Sequence, residues 1–170
     1  MRALASLLLL VSSAVVACAQ GPRPSQRAEI LQMLDSNQIR VRYIRPVARG
    51  RALFGSLVKF GKVWTPSADS AMLISFSRDV ELDGKLLAAG SYSVWAIPDS
   101  AQWTLIFNKS ARVFHLNYPE GQDVLRLTVK VESLPHVETL TAGFPVVDGR
   151  KAVFQLQWGT TAVAVQIETK

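Results

Sequence analysis

The chain has 170 residues, of which 49% are hydrophobic and 19% are charged, and its formal net charge is +6 at pH 7. This length suits one domain or at most two. The composition excludes a disordered chain, a coiled coil and a collagen-like fibre. The 19 basic and 13 acidic residues are too few and too mixed to indicate a nucleic-acid-binding protein, so we predict no nucleic-acid partner.

Residues 1–17 are predicted to be a secretory signal peptide. Arg2 supplies a positive start, and an apolar run from Leu4 to Val16 follows it, which is the pattern of an export signal. The run is shorter than the roughly 20 residues that a helix needs to span a bilayer. We therefore expect an exported protein and predict no transmembrane segment.

Cys18 is the only cysteine, and its fate depends on how the signal is cut. Val15-Val16-Ala17-Cys18 resembles a bacterial lipobox, in which the thiol is diacylated and the chain is cleaved before the cysteine. Ala17-Cys18-Ala19 also fits ordinary signal peptidase, which would cut after Ala19 and leave a soluble periplasmic or secreted chain. We favour the lipobox because no polar segment precedes Cys18. The acylated cysteine would anchor the protein in membrane lipid at the periplasmic face, with the outer membrane favoured.

Residues 18–26 are predicted to be the lipidated N-terminus and a linker, since they contain Pro, Gly and Ser. Between Arg23 and Lys62 there are nine basic residues against Glu29 and Asp35, whereas the rest of the chain is slightly acidic. The basic region favours either attraction to anionic lipid head groups or a solvated strand face beside a tether. Both interpretations stay open.

An apolar-polar alternation with a period of two dominates the chain from Ile39 onward. Such alternation is typical of half-buried antiparallel strands. The predicted strands are residues 39–43, 71–76, 80–82, 91–97, 103–108, 125–132, 138–144, 154–158 and 162–168. Residues 27–34 fit either a helix or the first strand of a hairpin, and residues 54–60 could form one helical turn. We predict an all-β fold of nine to ten short strands, an antiparallel β-sandwich or partly closed barrel, as a single domain over residues 27–170.

The acidic sequence Asp79-x-Glu81-x-Asp83-Gly84 resembles the start of a calcium-binding loop. However, Gly90 stands where that loop requires a bidentate glutamate. The Asp-Gly pair between apolar runs favours a hairpin turn instead, with residues 85–87 as the returning strand.

The sequence contains no motif for a reaction. His115 and His136 are the only histidines, and neither has a partner at metal-ligand spacing. A nucleophile elbow, a phosphate-binding glycine loop and a zinc-protease helix are all lacking. We therefore predict no metal and no cofactor, and we assign no catalytic residue.

Three blocks of residues occur in order and together are specific. They are Arg45-Pro46-x-x-x-Gly50-Arg51-x-x-Phe54-Gly55-x-Leu57-Val58-x-x-Gly61-x-x-Trp64, Leu87-x-Ala89-Gly90-x-Tyr92-Ser93 leading to Ile97-Pro98, and Trp103-x-x-Ile106-Phe107-Asn108. They resemble the bacterial family catalogued as domain of unknown function 2911, and the resemblance covers residues 27–168, including Asp123-x-x-Arg126. It implies an exported β-rich domain and favours a strand for residues 27–34. It supplies no established activity.

The chain departs from the family pattern after Trp64. Where the family has arginine, glycine, asparagine and glutamate, this sequence has Thr65, Ser67, Asp69 and Ser70. Any ligand chemistry that this loop has in relatives is therefore altered here.

A candidate ligand surface consists of Arg45, Arg51, Asp69 and Trp95. The alternation puts Trp95 on one strand face with two serines, which is compatible with a binding platform. Trp64, Trp103 and Trp158 are instead expected to pack in the core. The first hypothesis is a non-catalytic binding or interaction domain of the cell envelope, with an envelope glycan or protein as partner.

Two other function classes remain open. One is a periplasmic hydrolase of glycans or esters, with Asp69, Asp79, Asp99 or His115 as acid and base. The other is a purely structural envelope protein. A pair of carboxyl groups about 5–9.5 Å apart across a cleft would favour glycoside hydrolysis.

Overall fold

The computed structural model describes residues 24–170. The predicted signal peptide and Cys18 lie outside the described residues. Within this range the chain forms ten strands and no helix, which confirms the all-β prediction. No stretch of residues 24–170 forms a helix long and apolar enough to cross a membrane. The strands are β1 (Gln26–Leu34), β2 (Asn37–Arg45), β3 (Met72–Phe76), β4 (Val80–Leu82), β5 (Lys85–Leu87), β6 (Gly90–Ile97), β7 (Gln102–Asn108), β8 (Asp123–Lys130), β9 (Glu132–Asp148) and β10 (Lys151–Thr169).

The strands form two antiparallel sheets that pack as a sandwich. One sheet has six strands in the order β1-β2-β3-β6-β7-β8, and the other has four in the order β5-β4-β10-β9. The sheets are not closed into a barrel, so the sandwich is the correct one of the two predicted architectures.

The first two strands form a hairpin, so of the two structures left open for residues 27–34 the strand, which the family resemblance favoured, is the correct one. Leu34 pairs with Asn37 across the turn, and Asp35 adopts a left-handed backbone with φ 52°, which aspartate tolerates better than most residues. Asn37 is fully buried and its side-chain oxygen accepts a hydrogen bond from the backbone of Ser77 at 3.1 Å. The amide thereby ties the hairpin to the end of β3.

The core lies between the sheets and is formed by the inward positions of the alternating strands. Ile39 and Val41 of β2 are fully buried, as the period of two predicts. The three tryptophans assigned to the core also pack there: Trp158 stacks on Trp64 at 6.2 Å between ring centroids, and Trp103 meets Trp64 edge-on at 6.1 Å.

Two predicted elements differ from the structure. Residues 154–158 and 162–168 belong to one strand, β10, because Gly159 adopts φ 61° and absorbs a register irregularity without ending the strand. Residues 54–60 form a loop instead of a helical turn. By contrast, the Asp83-Gly84 hairpin is confirmed: both residues have positive φ, 46° and 75°, as a type I′ turn requires.

Candidate binding groove

The face of the six-stranded sheet that points away from the core is called the outer face here. Because side chains alternate along β2, Arg40, Arg42 and Ile44 lie on this face while their neighbours are buried. Arg42 is paired in register with Glu29 of β1 and Leu73 of β3. The outer face is therefore basic on β2 and becomes apolar towards β3.

Residues 109–122 connect β7 to β8 and fold back over the outer face as a loop, which we call the cover loop. It is held at its middle by two backbone hydrogen bonds: Ala71 N donates to Val113 O at 2.9 Å, and His115 N donates to Asp69 O at 3.3 Å. The cover loop closes a small second hydrophobic cluster, in which Trp95 packs with Ala71, Ile106 and Tyr118.

Polar contacts fix the return of the cover loop to the sheet. The Asp123 carboxylate accepts hydrogen bonds from the Tyr118 hydroxyl at 2.6 Å, from Arg126 Nη2 at 2.6 Å and from Asn108 Nδ2 at 2.8 Å. Burial opposes ionisation of Asp123, but these hydrogen bonds and the Arg126 charge outweigh it and lower the pKa of the carboxyl. We call these four residues the Asp123 cluster.

A groove of about 520 Å³ lies between the cover loop and strands β1 to β3, and we call it the outer groove. Among residues 24–170, Arg27, Arg42 and Arg112 provide three guanidinium groups to its lining, whereas Asp69 is the only acidic residue there. The groove therefore carries a net positive charge.

The three arginines differ in how far their charge is already compensated. Arg42 Nε lies 3.3 Å from the Glu29 carboxylate. Burial opposes ionisation of Glu29, but the hydrogen bonds and charges of Arg42 and Arg40 lower its pKa. Arg27 and Arg112 form no ion pair with any carboxylate of residues 24–170. These two guanidinium groups retain their donors for an anion.

Apolar side chains complete the lining of the outer groove. Ile44, Leu73 and Val113 line it beside Phe114, whose side chain is 52% exposed. An anionic ligand with an apolar part would satisfy both kinds of lining, since the guanidinium groups suit carboxylate or phosphate and the aromatic ring suits hydrocarbon.

The loop that departs from the family pattern borders this groove. Thr65 Oγ1 donates to Val94 O at 2.7 Å and accepts from Met72 N at 3.0 Å, and Ser67 Oγ accepts from Ile44 N at 2.9 Å. These buried contacts hold the loop, while Asp69 and Ser70 line the groove. Two of the four altered positions thus contribute to its chemistry.

The structure separates the four residues of the predicted ligand surface. Arg45 joins the sheets, donating to Leu140 O and to Thr141 Oγ1, each at 3.1 Å. Arg51 donates to Ala48 O at 2.9 Å and Val47 O at 2.7 Å. It lines a different cavity, of about 290 Å³. Of the four residues, Asp69 lines the outer groove and the other three do not.

Trp95 does not form an exposed platform. Only 1% of the residue is exposed, and its indole Nε1 donates to Ser93 Oγ at 2.9 Å. The serines on its strand face indicated a polar surface, but the cover loop lies over Trp95, and Ser93 is fully buried beside it, whereas Ser91 stays exposed. Trp95 therefore packs beneath a loop, and its ring is not available to a ligand.

The residues considered for hydrolysis are also divided. Asp79 Oδ1 accepts from Ala89 N at 2.7 Å, and Asp99 Oδ1 accepts from Ser100 N at 2.6 Å. Asp69 and His115 are neighbours through the backbone hydrogen bond described above. Across residues 24–170, no group of three or more histidine, cysteine, aspartate or glutamate side chains is placed to hold a metal ion.

The sequence interpretation missed Arg27, Arg42, Arg112 and Phe114. The alternation along β2 predicted only that Arg42 faces solvent, and it gave no sign that a groove lies there. No local pattern placed Arg112 and Phe114, because they lie on a loop that reaches the groove only through tertiary contacts.

Fold and groove together define an antiparallel β-sandwich with an arginine-lined, partly apolar groove on the outer face of its larger sheet. The family described as Protein of unknown function (DUF2911) matches residues 25–167, and the chain belongs to this family. Neither the search of curated proteins nor the search of solved structures found a match.

Proposed function

We propose that this protein is an exported, non-catalytic binding domain of the bacterial cell envelope, anchored through Cys18, whose outer groove binds an anionic ligand with an apolar part. The observation that carries the proposal is the pair of guanidinium groups, Arg27 and Arg112, without carboxylate partners beside the half-exposed ring of Phe114. The predicted signal peptide and lipobox support the envelope location.

The charge of the groove supports a binding role over hydrolysis. In the part of the chain that the structure describes, Asp69 supplies the only carboxyl group of the lining, whereas acid-base hydrolysis of a glycoside uses two facing carboxyl groups. Of the other carboxylates considered, Asp79 and Asp99 accept backbone hydrogen bonds elsewhere. No specific contact favours the hydrolase or the purely structural alternative.

The proposal is tested by calorimetric titration with three probes below their micelle concentrations. Octyl phosphate has both an anion and an alkyl chain, inorganic phosphate has only the anion, and octyl glucoside lacks the charge. We expect octyl phosphate to bind at least tenfold more tightly than either of the others, because it alone satisfies both parts of the lining.

Matched variants assign the binding to the groove. Arg27→Ala combined with Arg112→Ala is expected to weaken octyl phosphate binding at least tenfold, since a hydrogen bond to a charged group contributes about 1.5–3 kcal/mol. Arg78→Ala removes an exposed arginine outside the groove and should leave binding unchanged. Equal affinity for all three probes, or equal loss in both variants, would contradict the proposal.

A further inference from the structure

The loop of residues 54–63 exposes apolar side chains although its backbone is held in a defined conformation. Gly55 N donates to Val58 O at 2.8 Å, and Gly61 N donates to Pro98 O at 2.9 Å. Both glycines have positive φ, 82° and 66°, which other residues adopt only with strain. The loop is thereby fixed to the end of β6.

One side of this loop is anchored in the core. Val58 is buried, and the Phe54 ring lies 4.7 Å from that of Trp103. Gly55 leaves space for the Phe60 ring, because a Cβ there would come within 2.9 Å of it. The loop therefore presents a set arrangement of side chains to its surroundings.

The other side combines exposed hydrocarbon with positive charge. Leu57, Phe60 and Val63 are 45%, 42% and 38% exposed. Lys59 and Lys62 alternate with them and make no ion pair with a carboxylate of residues 24–170. Apolar side chains interleaved with lysines are the pattern of a surface that binds the interface of an anionic membrane.

Along the chain the charge is of one sign over residues 36–68, which include the loop, and the exposed Asp99 beside Pro98 is a carboxylate from another segment. No acidic residue occurs between Asp35 and Asp69. An anionic surface that approaches the loop therefore meets no carboxylate from residues 36–68. This complementarity favours anionic lipid over a neutral or basic partner.

The loop also lies at the end of the sandwich where the described chain begins. β2 and β6 both run antiparallel to β3, so both end at the same end of the sheet, where β1 begins with Gln26 opposite Arg45. Residues 18–25 span at most about 28 Å when extended. An anchor at Cys18 would hold this end of the domain close to the bilayer.

We infer that the 54–63 loop is a membrane-docking loop that inserts Leu57, Phe60 and Val63 into the interface of an anionic bilayer, with Lys59 and Lys62 at its phosphates. The inference goes beyond the ligand of the outer groove. It rests on the proposed anchor only for bringing this end near the membrane.

The experiment places a fluorophore at position 60 or position 86 of the full chain, purified after export and reconstituted on vesicles. Phe60→Cys labels the loop, whereas Leu86→Cys labels an exposed leucine on the β4–β5 hairpin, 62% accessible. Labelling of the parent chain gives the background from Cys18. Vesicles of phosphatidylglycerol with phosphatidylcholine are compared with phosphatidylcholine alone, and lipids with a nitroxide on the acyl chain report contact by quenching.

Quenching is expected at position 60 on the anionic vesicles only, and at position 86 on neither. Lys59→Glu with Lys62→Glu should weaken contact of the loop at least 25-fold, at about fivefold for each lysine lost near an anionic surface. The control pair Lys85→Glu with Lys109→Glu makes the same change in net charge elsewhere and should leave it unchanged. Equal quenching at both positions, or equal loss in both charge pairs, would overturn the inference.

Flotation of the parent chain separates this inference from the proposed function. A chain that floats with the vesicles but shows no quenching at position 60 would overturn the docking loop and leave the anchor standing. A chain that does not float would overturn both the anchor and the docking loop. Octyl phosphate binding should be unaffected by the Lys59 and Lys62 substitutions, so the groove is judged independently.

Discussion

The two faces of the six-stranded sheet are built differently. The inner face packs against a second sheet, and residues such as Ile39, Ile74 and Phe107 form a large continuous core with it. Over the outer face, the cover loop closes the small cluster of Ala71, Trp95 and Ile106, and no second sheet of residues 24–170 packs there. One face is therefore stabilised by many strands at once, and the other by a single connection.

Because of this difference, the residues that stabilise the fold lie mainly on the inner face, whereas the groove that could bind a ligand lies on the outer face. The inner face is covered by the second sheet, whereas the incomplete cover on the outer face leaves the outer groove at its margin. Stability and binding can therefore be perturbed separately, and three substitutions test how far the two faces are independent.

Phe154→Ala should have the largest effect, because Phe154 is fully enclosed between the sheets. Truncation of a buried phenylalanine costs about 3–5 kcal/mol, and a site enclosed by two sheets has little freedom to collapse, so we expect the upper end. Urea denaturation measures the loss. Phe154→Leu keeps most of the volume and should cost under about 1.5 kcal/mol; equal losses would show that packing volume is not the cause.

Trp95→Ala should cost less, although Trp95 is just as buried. We expect about 3 kcal/mol, the lower end of the range for such truncations, because a loop can settle into the space more easily than a sheet. The substitution should also increase proteolytic cleavage within residues 109–122, which limited proteolysis measures. A loss as large as that of Phe154→Ala, without local cleavage, would show that both faces belong to one cooperative core.

Asp123→Asn should have the smallest effect, roughly 1–2 kcal/mol at pH 7, since the shape is kept while charge-assisted hydrogen bonds to Tyr118 and Arg126 are weakened. The folded pKa of Asp123 is lowered, so its contribution is complete above the unfolded value of about 3.9 and disappears as the pH falls through the lower folded value. Urea unfolding from pH 7 to pH 2 should show the variant and the wild type converging in acid. Asp148→Asn, at the exposed end of β9, should change stability little at any pH.

The predictable parts of the fold are those governed by local periodicity. β2 and β8 follow alternating side chains, and the Asp83-Gly84 turn follows from backbone preferences of its two residues. The prediction of two separate strands in place of β10 was wrong. A glycine such as Gly159 is typical of the end of a strand, but residues on both sides of it pair with β9, so the strand continues. The alternation of apolar and polar residues along one strand does not reveal a bulge, because a bulge depends on pairing with the neighbouring strand.

The site was less predictable for a related reason. Trp95 and the serines on its strand face have the alternation of an exposed polar surface, and the burial of Trp95 comes from a loop that follows the next strand. Arg45 was selected as a charged residue in a specific block, but its guanidinium is used to join the two sheets. In both cases the residue type suggested a ligand contact, but the groups that the side chain actually contacts come from distant parts of the chain.

The sequence by itself determined the all-β class, most of the strands, the Asp83-Gly84 hairpin turn and the uneven distribution of charge, because each depends on residues close together in the chain. Only the tertiary structure decided which charges remain uncompensated, that Trp95 is buried and where a groove opens. Those features depend on the cover loop folding back over the outer face and bonding to residues 69–71, and a contact between distant segments leaves no periodic pattern in either.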